Sequence, residues 1–183
     1  TNTPTPPPDG EYYYNKGNEH WMAGEFEQAI DSLSTAIGLT ETEWWGGNAY
    51  YRRGDSYSEL GQHQLAILDF EKTIELMPDW HLPYWAWGVA YYQQGDYEGA
   101  ILGFDVAIQL DPLWATAYDW RGAAQYNLEE YQLAIQDYGM AIQLDPDVAR
   151  YYEYRGNMYT WLDQFTEAEA DWAKACSLDS QYC

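Results

Sequence analysis

Positive charge is what this chain has least of: 8 Lys and Arg stand against 30 Asp and Glu in 183 residues, a net charge of −22. Nucleic-acid binding depends on neutralising phosphates, so DNA and RNA are not expected partners. An anionic membrane surface is disfavoured for the same reason. Long apolar runs are missing too. No stretch of 18 or more apolar residues occurs, which predicts no membrane-spanning helix. The chain opens on polar residues, which predicts no signal peptide. His20, His63 and His81 are scattered, and no HExxH or Cys–His spacing exists, so no metal site is expected. Gly-rich phosphate loops, GxSxG and the DxDxDG calcium spacing are likewise absent. No cofactor is implied and no catalysis is expected. Carboxylate pairs such as Glu129–Glu130 and Glu167/Glu169 read as solvated helix faces.

Aromatic residues are abundant instead, at 18% of the chain, with 10 Trp and 19 Tyr. With 46% hydrophobic residues, the length suits one domain or a short repeat array. Self-similarity decides for the array. Gly54, Gly88, Gly122 and Gly156 follow one another at intervals of 34, and Gly17 lies 37 before Gly54. Twelve residues after each glycine stands Ala29, Ala66, Ala100, Ala134 or Ala168. Sixteen after stands Leu33, Phe70, Phe104, Tyr138 or Trp172, and four before stands Tyr13, Tyr50, Tyr84, Tyr118 or Tyr152. The arithmetic divides the chain into a tail at 1–9, repeats at 10–43, 47–80, 81–114, 115–148 and 149–183, and an insert at 44–46.

Each repeat reads as two helices. Ala66-Ile67-Phe70-Thr73-Ile74 has helical apolar spacing. Gly24, Gly61 and Gly95 mark the turn between paired helices, and the Asp-Pro pairs at 111–112 and 145–146 stop the second. Gly in the first helix and Ala in the second allow close approach, and the large residues fill the remaining gaps. The segments GVAYYQQGDYEGAILGFDVAIQLDP and GAAQYNLEEYQLAIQDYGMAIQLDP resemble the tetratricopeptide repeat, and the likeness covers about 170 of the 183 residues. The resemblance implies an all-α, right-handed superhelical solenoid of five helix-turn-helix repeats, with the first helices lining a concave groove. Departures are local: repeat 1 lacks the closing proline, Gln125 and Glu129 replace the usual Tyr and Gly of repeat 4, and Ser180 replaces Pro in repeat 5.

A covariation inside the chain predicts structural ion pairs. Arg53, Arg121 and Arg155 each precede a repeat glycine, and Asp69, Asp137 and Asp171 lie 16 residues further on. The repeat with Trp87 in place of Arg has Gly103 in place of Asp, a large-to-small exchange. Arginine suits such pairing because its planar fork meets a carboxylate bidentately. Three of only 8 cations are then held inside the scaffold, leaving the groove more acidic.

By resemblance to the family, ligand-facing positions of the first helices lie six, three and two before the glycine and one, four and five after it. They carry nine aromatics, five carboxylates and two arginines. Those expected to form the groove are Tyr14, Trp21, Tyr51, Asp55, Trp85, Tyr92, Asp119, Trp120, Tyr126, Glu153, Tyr154 and Trp161. Dense exposed aromatics usually mark an interaction surface, although helices also bury aromatics at this spacing. Carboxylates among them favour a cationic or neutral guest through cation–π attraction, and proline rings stack on such walls. The family's carboxylate-capturing pocket would need cations at positions held by Tyr14, Leu82 and Ala86; only Asn18 fits, so acidic chaperone tails are not expected guests.

The ends leave alternatives open. Cys176 and Cys183 on one continuous helix would stand about 10 Å apart, too far to bond. A disulfide requires the helix to end near Leu178 and the tail to fold back; two unrelated thiols, or an intermolecular bond through Cys183, are the alternatives. The opening Thr-Asn-Thr-Pro-Thr-Pro-Pro-Pro reads as an extended linker from a longer chain. That linker, the few lysines and a terminal disulfide, where the two cysteines pair, lean towards an extracytoplasmic part of a larger protein. Trp44 and Trp45 are expected to plug the gap left by the insert, or else to extend the groove wall. The function expected is a non-catalytic scaffold holding a neutral-to-basic or proline-rich protein segment. Its rivals are a self-assembly module and an aromatic cage for a small cationic or sugar ligand.

Overall fold

The computed structural model of the protein describes residues 9–39 and 45–183. Among these residues there are ten α-helices and one short 3-10 turn, and no strand. In chain order they are α1 (Gly10–Met22), α2 (Phe26–Leu39), α3 (Gly46–Glu59), α4 (His63–Leu76), α5 (His81–Gln93), α6 (Tyr97–Leu110), α7 (Ala115–Asn127), α8 (Tyr131–Leu144), α9 (Ala149–Trp161) and α10 (Phe165–Leu178), with the turn at Ser180–Tyr182. The chain forms two compact units, one ending at Ala90 and the other running from Tyr91 to Cys183. Trp44, part of the expected plug, and residues 1–8, most of the expected linker, lie outside the described residues.

In four of the repeats the helices pair closely because the repeat glycine leaves room for one large side chain. In the first unit, a Cβ on Gly17 would lie 2.6 Å from Leu33 Cγ, and one on Gly54 would lie 2.9 Å from a Phe70 ring carbon. In the second unit the partners are Gly122 with Tyr138 and Gly156 with Trp172. The turns inside the pairs need a left-handed residue. Gly24, Gly61 and Gly95 supply it at φ between 72° and 81°, but Glu129 and Asp163 adopt it at 62° and 58° despite carrying side chains. Each such turn is closed by an N–H bonding five residues back, for example Gln62 N to Tyr57 O at 2.8 Å and Glu130 N to Gln125 O at 2.9 Å.

The recurrent tyrosine tethers neighbouring repeats. The hydroxyls of Tyr84, Tyr118 and Tyr152 donate to the carbonyls of Pro78, Pro112 and Pro146 at 3.1–3.2 Å. The arginines cross each pair. Arg53 donates through Nε and Nη2 to both oxygens of Asp69 at 2.7 Å, and through Nη1 to Ser34 of the preceding repeat. Arg121 grips Asp137 in the same two-pronged way and reaches back to Asp105 at 2.6 Å. Arg155 binds Asp171 at 2.7 and 2.8 Å, and Gly139 stands where the preceding repeat offers Ser34 or Asp105 elsewhere. Trp87 is half-buried in the first unit and Gly103 is buried in the second; their exchange of size rests on the sequence alone.

Trp45 fills space rather than extending a wall: it is 2% exposed and stacks on Tyr14, with ring centroids 5.4 Å apart. At the other end, Cys176 and Cys183 are disulfide-bonded with Cα atoms 4.7 Å apart. The helix ends at Leu178, and the Ser180–Tyr182 turn brings the chain back. Tyr182 thereby packs against the cluster of Ala149, Tyr152 and Ala175.

Candidate functional site: an aromatic cavity in the second unit

The first-helix positions behave differently in the two units. In the first, the sequence places Tyr14, Trp21, Tyr51 and Asp55 on an open groove, and the structure engages each of them with a neighbouring side chain. Tyr14 lies buried beneath Trp45. Trp21 Nε1 donates to Asp55 at 2.6 Å, and the Arg52 guanidinium sits 4.2 Å above the Trp21 ring. Asp55 is therefore not an open acid. Burial raises its pKa above the ordinary carboxylate range, and the Trp21 N–H and Arg52 offset part of that rise. Tyr51 packs against Phe70 and Trp80, and burial, with Asp55 adding to it, pushes its phenol to about 12. Trp85 is half-buried on α5.

In the second unit the corresponding faces leave space. Tyr92 at the end of α5, Ala123 and Tyr126 of α7, and Tyr154, Asn157, Met158, Thr160 and Trp161 of α9 enclose a cavity of about 540 Å³, closed beneath by Tyr138 and Trp172. Ala123 is small, which is why there is a hollow. The ring of Tyr92 meets Trp120 edge-on at 5.4 Å. Tyr126 is 39% exposed and Trp161 60% exposed, and Trp161 stacks nearly parallel on Tyr131 at 5.7 Å. Trp172 Nε1 donates to Asn157 at 3.2 Å, which sets one edge of the floor. A smaller hollow of about 240 Å³ adjoins, sharing Tyr92, Ala123 and Tyr154 and adding Asp119, Trp120 and Arg150.

The electrostatics differ from an acidic groove. Asp119 is buried, and Arg150 Nη2 donates to it at 2.5 Å. Its pKa is raised by burial, against which Arg150 pulls. No Asp or Glu among the described residues lines the larger cavity; Glu153 is half-buried on α9 outside it. Burial raises the phenols of Tyr92, Tyr138 and Tyr154, so they stay neutral hydrogen-bond donors near pH 7. Neutral π faces and O–H groups make this wall, not carboxylates. Six of the expected groove residues are brought to the two hollows: Tyr92, Asp119, Trp120, Tyr126, Tyr154 and Trp161. Tyr138, Met158 and Trp172 were not expected on the wall. Tyr138 and Trp172 are the large residues 16 after a glycine, and their spacing signals only packing.

No group of His, Cys, Asp and Glu among the described residues is arranged to hold a metal ion, and none of the described helices is long and apolar enough to cross a membrane.

Comparison with known proteins agrees with the helical-repeat fold. Models of the tetratricopeptide repeat match residues 10–43, 47–79 and 115–148, and a further TPR repeat model matches 88–129. The Hsp70-Hsp90 organizing protein 2 of Arabidopsis thaliana is 34% identical over 65 residues, 36% of this chain and 11% of that protein. The Hsp70-Hsp90 organizing protein of Triticum aestivum is 36% identical over 69 residues, 38% of this chain and 11% of that protein. The chain thus spans about a tenth of the length of these curated relatives. Among solved structures, a crystal structure of MamA protein superposes with a TM-score of 0.85 at 23% identity, covering 94% of this chain and 92% of that one. MamA from Desulfovibrio magneticus RS-1 gives 0.86 at 22% identity, covering 94% and 96%. At that identity the likeness shows a shared helical-repeat fold.

Proposed function

The chain belongs to the tetratricopeptide repeat family, and from that premise we propose that it is a non-catalytic protein-interaction scaffold whose second unit holds a segment of a partner. The cavity of about 540 Å³ carries this reading. It is large enough for one or two side chains, apolar over most of its wall, and rimmed by exposed aromatics. Tyr and Trp lose little rotamer entropy on binding and present both a flat face and a polar tip. An aromatic, aliphatic or proline residue would seat in the cavity. A buried lysine would shed its hydration there without meeting a carboxylate, so basic residues belong on the flanks, drawn by the net charge of −22. A small cation would find only cation–π attraction at this wall and no carboxylate to pair with.

The curated relatives are named as organisers of Hsp70 and Hsp90, yet the acidic-tail mode does not carry over. Tyr14, Leu82 and Ala86 stand where its cations would be needed.

A peptide array probed with the protein and with its Tyr126→Ala/Trp161→Ala variant tests the reading. Neutral or proline-rich hits should vanish in the variant while its helical circular dichroism persists, since both residues are exposed. An absence of hits, or hits indifferent to the two substitutions, would assign the aromatics to packing.

A further inference from the structure

One hydroxyl of the cavity wall in the second unit has its direction set by a neighbour. Asn127 Nδ2 donates to Tyr92 Oη at 3.0 Å and to Ala123 O at 2.8 Å. A hydroxyl that accepts from a neighbour turns its own proton elsewhere, and Tyr92 lines both hollows. The exposed rim is made by Tyr126 and Trp161. The matching guest is uncharged, brings flat apolar rings, offers carbonyl acceptors, and has few N–H groups that burial would leave unpaired. A proline-rich strand meets each condition, because its tertiary amides accept without donating and its extended form costs little entropy to hold.

This chain contains a proline-rich sequence of that composition. Residues 1–8 carry four of its 8 prolines and no charged side chain. With a net charge of −22, two copies repel each other. Contact between them is least opposed where neither surface brings uncompensated charge, as at this segment and this cavity.

We propose that the aromatic cavity of the second unit takes the proline-rich residues 1–8 of a second copy. The inference rests on the groove reading above and names its occupant. The contact is head-to-tail, so any open assembly keeps one free proline-rich segment and one free cavity at its ends, and association continues beyond two until it closes into a ring.

Light scattering of the full chain over a concentration series tests this, with two full-length variants. One replaces Pro4, Pro6, Pro7 and Pro8 by Ala; the other is Tyr126→Ala/Trp161→Ala. The mass of the unaltered chain should rise with concentration, and more steeply as salt screens the repulsion. Each variant alone should associate at least about tenfold more weakly. An equimolar mixture of the two should stop at a heterodimer, because only one proline-rich segment and one cavity remain between them. If Tyr126→Ala/Trp161→Ala loses helical signal, Tyr92→Phe replaces it and should weaken association by removing a single hydroxyl. A monomer at every concentration, association that survives either variant, or a mixture that fails to pair overturns the proposal. Groove-dependent array hits from a chain that stays monomeric would overturn this inference alone; an absence of array hits would overturn the groove reading as well.

Discussion

Trp21 and Tyr126 stand at the same place in their repeats, four residues after the glycine, and they do opposite things. Trp21 is tied down: its indole N–H binds Asp55 and its face carries Arg52. Tyr126 is left at the rim of a cavity. The difference lies in the following repeat. One residue after its glycine, the first unit supplies Asp55 to Trp21, whereas in the second unit Ala123 and Asn157 fill the equivalent place. A carboxylate and an arginine occupy the space beside Trp21; a methyl group leaves it open beside Tyr92. Position in the repeat sets which way a side chain faces, and the volume and charge of its neighbour one repeat on set whether that face is a binding wall.

The widest separation between the units should come from their tryptophans. Trp45→Ala should cost about 3–5 kcal/mol of stability through lost burial, and Trp161→Ala no more than about 0.5 kcal/mol. Urea denaturation followed by circular dichroism measures both. Equal losses would mean that the aromatics of the second unit are packing after all.

The arginines should erase the contrast instead of widening it. Arg53→Ala and Arg121→Ala strand the buried Asp69 and Asp137, and each should cost about 3 kcal/mol in the same assay. A loss confined to one unit would show that the shared 16-residue spacing hides unequal pairs.

The turns offer a smaller lever. Both inner turns of the first unit are glycine, but Glu129 holds a left-handed conformation in the second. Glu129→Gly should stabilise by about 1 kcal/mol, read as a higher urea midpoint, because glycine has no Cβ to strain. An unchanged or lower midpoint would mean that the Glu129 side chain earns its place.

The smallest effect is in pH. Burial raises the Asp55 pKa, so between its ordinary and raised values the folded chain binds more protons than the unfolded one. Its contribution therefore favours folding below that window and is lost as pH rises through it. Asp55→Asn should flatten this part of the stability profile. A profile that keeps its slope would assign the effect to Asp69 or Asp119, whose pKa values are raised in the same direction.

Much of the framework is legible in the sequence. Gly17, Gly54, Gly122 and Gly156 each meet the large residue 16 further on, because close helix packing demands both at once. Arg53, Arg121 and Arg155 find Asp69, Asp137 and Asp171 for a similar reason: two positions that face each other vary together. The candidate site was only half legible. Tyr126, Tyr154 and Trp161 were visible as outward aromatics, but so were Tyr14, which is buried against Trp45, and Tyr51, which is half-buried against Trp80. Asp55 and Asp119 looked like open acids until Trp21 and Arg150 were seen to satisfy them. Tyr138 and Trp172 carried only a packing signal, yet they floor the cavity.

The amino-acid sequence by itself determined the repeat, the helix pairs, the Arg–Asp pairs and the shortage of cations. Each follows from local periodicity or from residues at a constant separation. Tertiary structure alone decided where an aromatic face stays open and which carboxylates remain charged to solvent. Those outcomes depend on the volumes and hydrogen bonds that residues from different repeats contribute to one small space, and no spacing along the chain encodes that sum.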